Sequence, residues 1–187
     1  FRRVLFRSAI QPDWRGDGVE ASSGGIDADD LSVLADYASG PPRTPTAREQ
    51  AALDRLEPLV PLLQAASEQH TFDPGLDFAA GFDILVPHLS VIRQSGRCMK
   101  ALAHAAAAQG DLAAAAEWTG RIATAAGQVS QDGTLIGSLV GGSMWAIADQ
   151  QFDWLLGGGL LGPDEIEVAL QQMAWLEDVV DPFRMTD

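Results

Sequence analysis

PHLSVIRQSGRCMKALAHAAAAQGDLAAAAEWTGRIATAAGQVS, residues 87–130, decides the fold. Leu89, Ile92, Gly96, Met99, Ala103 and Ala106 recur at alternating steps of three and four, the period that lines side chains along one stripe of a helix. Much of that seam is small, so a second helix can come close. Pro87 is tolerated as a first helical residue, having no amide hydrogen to waste there. Gly110 suits the left-handed residue that ends a helix, and Asp111 can accept hydrogen bonds from the free amides that begin the next. Leu112, Ala115, Trp118, Ile122, Ala125 and Val129 then face back, which predicts a tight helical hairpin.

Toward the C-terminus, Asp132-Gly133 breaks the second arm, and Thr134 to Leu156 forms the most apolar span. From Gly133 to Ala148 there is no charge, but this run of 16 residues falls short of the ~20 that a membrane span needs. Gly137, Gly141 and Gly142 instead predict a central, closely packed helix. Gly157-Gly158-Gly159 frees the backbone, Gly162-Pro163-Asp164-Glu165 restarts a helix, and Ile166, Ala169, Leu170, Met173 and Leu176 give it an apolar stripe. Toward the N-terminus, Thr46 and Glu49 have the spacing of a capping box, and Leu53, Leu56, Val60 and Leu63 form the stripe that follows. Pro58 and Pro61 predict a break near residue 57, with helix resuming to about Gln69. Leu31, Leu34, Ala35 and Ala38 predict one short helix before Gly40-Pro41-Pro42. No segment shows strand-length alternation, so the fold is expected to be all-α: antiparallel helical hairpins packed as a tetratricopeptide-like or irregular helical domain.

Residues 9–45 read as a linker with one short helix, and residues 46–187 as the helical domain, cut short at its C-terminal end. Residues 1–8 look foreign: Arg2, Arg3 and Arg7 stand in an otherwise acidic chain, and Leu5-Phe6-Arg7-Ser8 is also the translation of CTC TTC CGA TCT, a string resembling the end of a sequencing adapter. No apolar stretch follows them, so no signal peptide is expected, and the domain reads as soluble with its compartment open. The 187 residues carry 12 basic against 26 acidic side chains, a net charge of −14 that repels nucleic acid and anionic lipid. The lone Cys98 forms no intramolecular disulfide, so burial alone must hold the fold.

Gly110 to Ala115, with Ala103 seven residues upstream of the turn, resembles the hairpin turn of a tetratricopeptide repeat, where small residues close the contact between the two helices. More broadly, His88-Leu89-x-x-x-Arg93, Arg97, the alanine-rich helix, Gly110-Asp111 and Thr134-Leu135-Ile136 before an apolar helix are similar to a group of uncharacterised bacterial helical proteins. The resemblance spans about residues 50 to 178 and implies a helical fold without implying an activity.

Few residues suggest chemistry. Arg93, Arg97 and Lys100 fall at i, i+4 and i+7, with His104 at i+11, on one stripe that could bind a carboxylate or another anion. The alternative is that they pair with carboxylates on neighbouring helices, such as Asp77, Asp83 or Glu117. His70, Asp73, Asp77, Asp83 and His88 could supply metal ligands or acid–base groups, but their spacing matches no established motif, chance alone yields such a cluster among 26 acidic residues, and a solvated connection is the favoured reading. Cys98, between Arg97 and Lys100, would be activated if exposed but reads as a buried structural thiol. Trp118, Trp145, Trp154 and Trp175 suit core anchors. These readings point to a non-catalytic scaffold or protein–protein interaction domain with no cofactor and no metal. The alternative is an anion-binding protein or enzyme that uses the Arg93/Arg97/Lys100 stripe or the His70/Asp73/His88 cluster.

Overall fold

A computed structural model describes residues 26–69, 88–131 and 134–173, and among these the only regular structure is helical. In chain order the helices are α1 (Ala28–Tyr37), α2 (Ala47–Leu56), a 3₁₀ turn (Glu57–Leu59), α3 (Val60–Ser67), α4 (His88–Ala108), α5 (Leu112–Ser130), α6 (Leu135–Gly157) and α7 (Pro163–Met173). The fold is all-α, as the periodicity requires.

Local chemistry sets the ends. Asp27, Thr46, Asp111 and Thr134 each accept a hydrogen bond from the backbone of the third residue onward, which satisfies an amide that the first helical turn would leave free. Thr46 and Glu49 form the full reciprocal capping box. Pro58 falls in the 3₁₀ turn between α2 and α3, where a missing amide is tolerated, so the expected break takes the form of one tightened turn. Gly110 ends α4 at a φ of +81°; its amide bonds the carbonyl of Ala107, and the next amide, Asp111, reaches back to Ala106. Gly159 closes α6 with the same pair of bonds, to Leu156 and, from Leu160, to Leu155.

The core centres on α5, which packs against α3, α4, α6 and α7. Every residue from Thr119 to Val129 is buried, so this helix is covered on all sides over those three turns. Residues 134–156, expected as the central helix, instead form a flanking one: α6 buries Gly137, Gly141, Met144, Ala148, Gln151 and Leu155 and turns Leu135, Ile136 and Leu139 to solvent. High mean hydropathy without a one-sided pattern explains the difference, because hydropathy alone does not say how many neighbours a helix has. The small residues still serve close packing. A Cβ at Gly141 would come within 2.8 Å of the Ala126 carbonyl oxygen on α5, and one at Gly96 within 3.0 Å of the Met144 methyl on α6. Gly96 with Met144, Lys100 with Gln150 and the rising numbers of both show that α4 and α6 run parallel, each antiparallel to α5.

The expected linker over residues 9–45 needs correction where it is described. Leu34, Tyr37 and Ala38 are buried in the common core, and α1 packs on α4, so residues 26–45 belong to the same folded unit as α2 to α7. No helix among the described residues is long and apolar enough to cross a membrane.

Candidate functional site

The basic stripe splits in two. Its period is kept along α4, but neighbours cover only the C-terminal half: Arg93 and Arg97 are exposed, whereas Lys100 and His104 are buried. Lys100 Nζ donates to Gln150 Oε1 of α6 at 2.7 Å, and burial pushes its pKa down. The His104 ring is fully buried, with Nε2 2.7 Å from the Gly40 carbonyl oxygen. A carbonyl only accepts, so Nε2 carries the proton and Nδ1 presents a lone pair inward. The Tyr37 ring meets the imidazole edge to face at 5.9 Å. Burial lowers the His104 pKa foremost; the Gly40 bond works against that, and the Lys100 charge adds to it.

Four residues on one stripe therefore do not make one anion groove. Of the expected carboxylate partners, Glu117 pairs with Arg121, and Asp77 and Asp83 lie outside the described residues. The interior around His104 is polar yet incompletely bonded. His104 Nδ1, both amide atoms of Gln151 and Trp154 Nε1 are buried without a hydrogen-bond partner among the described residues.

The His70/Asp73/Asp77/Asp83 cluster also lies outside the described residues, and so does the side chain of His88. Among the described residues no group of three or more His, Cys, Asp or Glu is placed to hold a metal. The Cys98 thiol is buried, and desolvation pushes its pKa up to about 12, so its cationic sequence neighbours do not activate it. Trp118 and Trp145 pack on the core as anchors, and Trp175 lies outside the described residues.

Arg121 is the charged residue that the stripe argument missed. It is buried in the middle of α5 and donates to Glu117 at 2.7 and 3.0 Å, to Glu68 at 3.3 Å, to Ser67 Oγ at 2.6 Å and to the Gln64 carbonyl at 3.2 Å. Its guanidinium also stands 5.8 Å from the centre of the Trp118 ring. Gln128, two turns on, donates to the carbonyls of Ala66, Ser67 and Gln69. Together they satisfy the C-terminal end of α3, where the helix dipole is negative and carbonyls lack helical partners. The signal was present in the sequence: Arg121 is the only Lys or Arg between Lys100 and Arg184, four residues after Glu117.

The surface offers a different kind of feature. Leu135 is 77% exposed and Leu139 66%, with Ile136 beside them, on the first turns of α6. Farther along, Phe152 and Leu156 of α6 and Ile166, Ala169 and Leu170 of α7 line an open apolar groove of about 230 Å3. No protein-family model matches the chain, and no curated protein or solved structure matches it.

Proposed function

We propose that this chain is a non-catalytic helical domain that acts through protein–protein contact, as a scaffold or adaptor, and that its α4–α5 hairpin is of the tetratricopeptide kind. The observation that carries the first part is the outer face of α6. Leu135, Ile136 and Leu139 stand in water within two turns, and Gly142, Ser143 and Ala146 continue that face with small side chains. Burying a leucine or isoleucine contributes about 1.5 to 3 kcal/mol, so this face holds association energy that folding leaves unused. A protein is the fitting partner, because a net charge of −14 opposes nucleic acid and anionic lipid. The hairpin reading is supported by the left-handed Gly110 and by the complete burial of Ala103 and Ala115, and α5 departs from it by running 19 residues.

The test is the double variant Leu135→Gln/Leu139→Gln, examined by proximity labelling in the native host and by thermal melting. Both side chains are solvated, so the melt is expected to hold while the labelled partners are lost. An unchanged set of partners would remove this face from the function.

A further inference from the structure

We propose that the groove between α6 and α7 binds an amphipathic helix whose apolar stripe is flanked by Lys or Arg. This rests on the interaction-domain reading above and names the partner by its chemistry. Phe152 and Leu156 stand four residues apart on α6, as do Ile166 and Leu170 on α7, so each helix presents one apolar ridge. Ala169, small and buried, lies between the ridges, and Leu156 and Leu170 are exposed. Two ridges with a small residue between them match the stripe of a third helix, whose side chains at i, i+3 or i+4 and i+7 would enter as anchors.

Charge selects the occupant. No Lys, Arg or His occurs between Arg121 and Arg184, whereas residues 122–173 carry Asp132, Asp149, Asp153, Asp164, Glu165 and Glu167. Asp149 and Asp153 are exposed and precede Phe152 and Leu156 by three residues each; exposed Glu167 precedes Leu170 by the same step. Each acid therefore stands one turn from a residue that lines the groove. Lys100, which reaches α6 from α4, is buried and engaged by Gln150, so it does not offset those carboxylates at the surface. A second copy of the chain, or an acidic partner, would bring like charges together; a helix with basic flanks meets opposite charge on both ridges.

The test uses the whole chain and a synthetic helix of Leu and Lys, about 18 residues long so that it folds readily, with Leu at i, i+3, i+4 and i+7. Two further peptides replace every Lys by Gln or by Glu. The Lys peptide is expected to bind about tenfold more tightly than the Gln peptide at low salt, and the Glu peptide to show no binding. Leu156→Gln with Leu170→Gln should weaken the Lys peptide about tenfold without lowering the melt. Asp153→Asn with Glu167→Gln should narrow the difference between the Lys and Gln peptides. Equal binding of those two peptides would overturn the charge selection while leaving an apolar interaction surface intact. Lys-peptide binding that survives Leu156→Gln/Leu170→Gln would reveal general attraction to an acidic protein and overturn the groove. Absence of binding would overturn the proposal as well, and so would a concentration-dependent dimer abolished by the same leucine variants, which would assign the groove to a second copy.

Discussion

Arg121 Nη1 donates to Ser67 Oγ at 2.6 Å, a bond that ties the middle of α5 to the last residue of α3. Ser67 passes its own hydroxyl hydrogen to the Gln64 carbonyl at 2.8 Å, and Arg121 reaches that same carbonyl at 3.2 Å. The three groups make a closed set at the negative end of a helix of only eight residues. So short a helix is marginal by itself, and its register on α5 depends on side chains that hold its end.

Arg121→Met keeps most of the aliphatic stem and removes every one of those donors. Glu117 and Glu68 remain partly in water, so the loss falls chiefly on the buried bonds to Ser67 and Gln64. Charged hydrogen bonds of this kind carry about 1.5 to 3 kcal/mol. Urea unfolding should show a destabilisation of that size, and hydrogen exchange should show α3 opening first. A variant as stable as the parent would mean that Leu63 and the Gln128 bonds hold α3 without Arg121.

Gly141 and Gly142 are neighbours with opposite expectations. At Gly141 a Cβ would press against the Ala126 backbone carbonyl, which cannot rotate away, so Gly141→Ala should lose about 1 to 3 kcal/mol to overpacking. At Gly142 a Cβ meets nothing within 4 Å, so Gly142→Ala should gain the helical preference of alanine, about 0.5 to 1 kcal/mol. Thermal melts of the two single variants check both signs. A destabilised Gly142→Ala would place a neighbour on that outer face.

What the chain reveals without its structure divides along the same line. The turn at Gly110, the capping box at Thr46 and Glu49 and the break at Pro58 depend on a few adjacent residues, and the sequence displays all of them. The identity of the central helix does not depend on adjacent residues. From Thr119 to Val129 the alanine-rich α5 is buried on every side because α3, α4, α6 and α7 surround it, whereas the more apolar α6 is a flank. The candidate site divided for the same reason. Helical period alone puts Arg93, Arg97, Lys100 and His104 in one row, but only tertiary packing brings Gly40 over His104 and Gln150 over Lys100.

Exposed Arg97 has no ion-pair partner among the described residues, so Arg97→Gln should change the melt by no more than about 0.5 kcal/mol at either low or moderate salt. A loss of several kcal/mol would point to a buried carboxylate partner, contrary to its placement here.

Glu49 should make the α1–α2 junction sensitive to acid. Arg43 holds its carboxylate foremost through hydrogen bonds of 2.5 and 2.8 Å, with Thr46 adding to the effect, and its pKa falls from 4.5 to about 2. The folded state thus binds the proton less readily than the unfolded chain does. The stabilisation is complete above pH 4.5 and disappears as the pH falls toward 2. In a series of melts Glu49→Gln should lose stability at pH 7 and show a flatter slope across that interval. An NMR titration that finds Glu49 protonating near its ordinary value would contradict the Arg43 clamp.

His104 should add a second acid-sensitive step, at higher pH than the first. In the folded chain its Nε2–H is committed to the Gly40 carbonyl, and a second proton would have to enter at Nδ1, in the interior and near the Lys100 charge. The folded pKa is therefore lowered from 6.5, and the unfolded chain takes up the proton first. Stability is complete above about pH 6.5, the ordinary histidine value, and declines as the pH falls from there toward the lowered folded value. The ring joins the loop after α1 to α4, so the decline should appear first as faster amide exchange in α1. His104→Gln removes the titrating group and can still offer a donor to Gly40, so it should flatten the pH dependence between 6.5 and the Glu49 interval even if it lowers stability throughout. A slope that survives in that variant would assign the transition to another group.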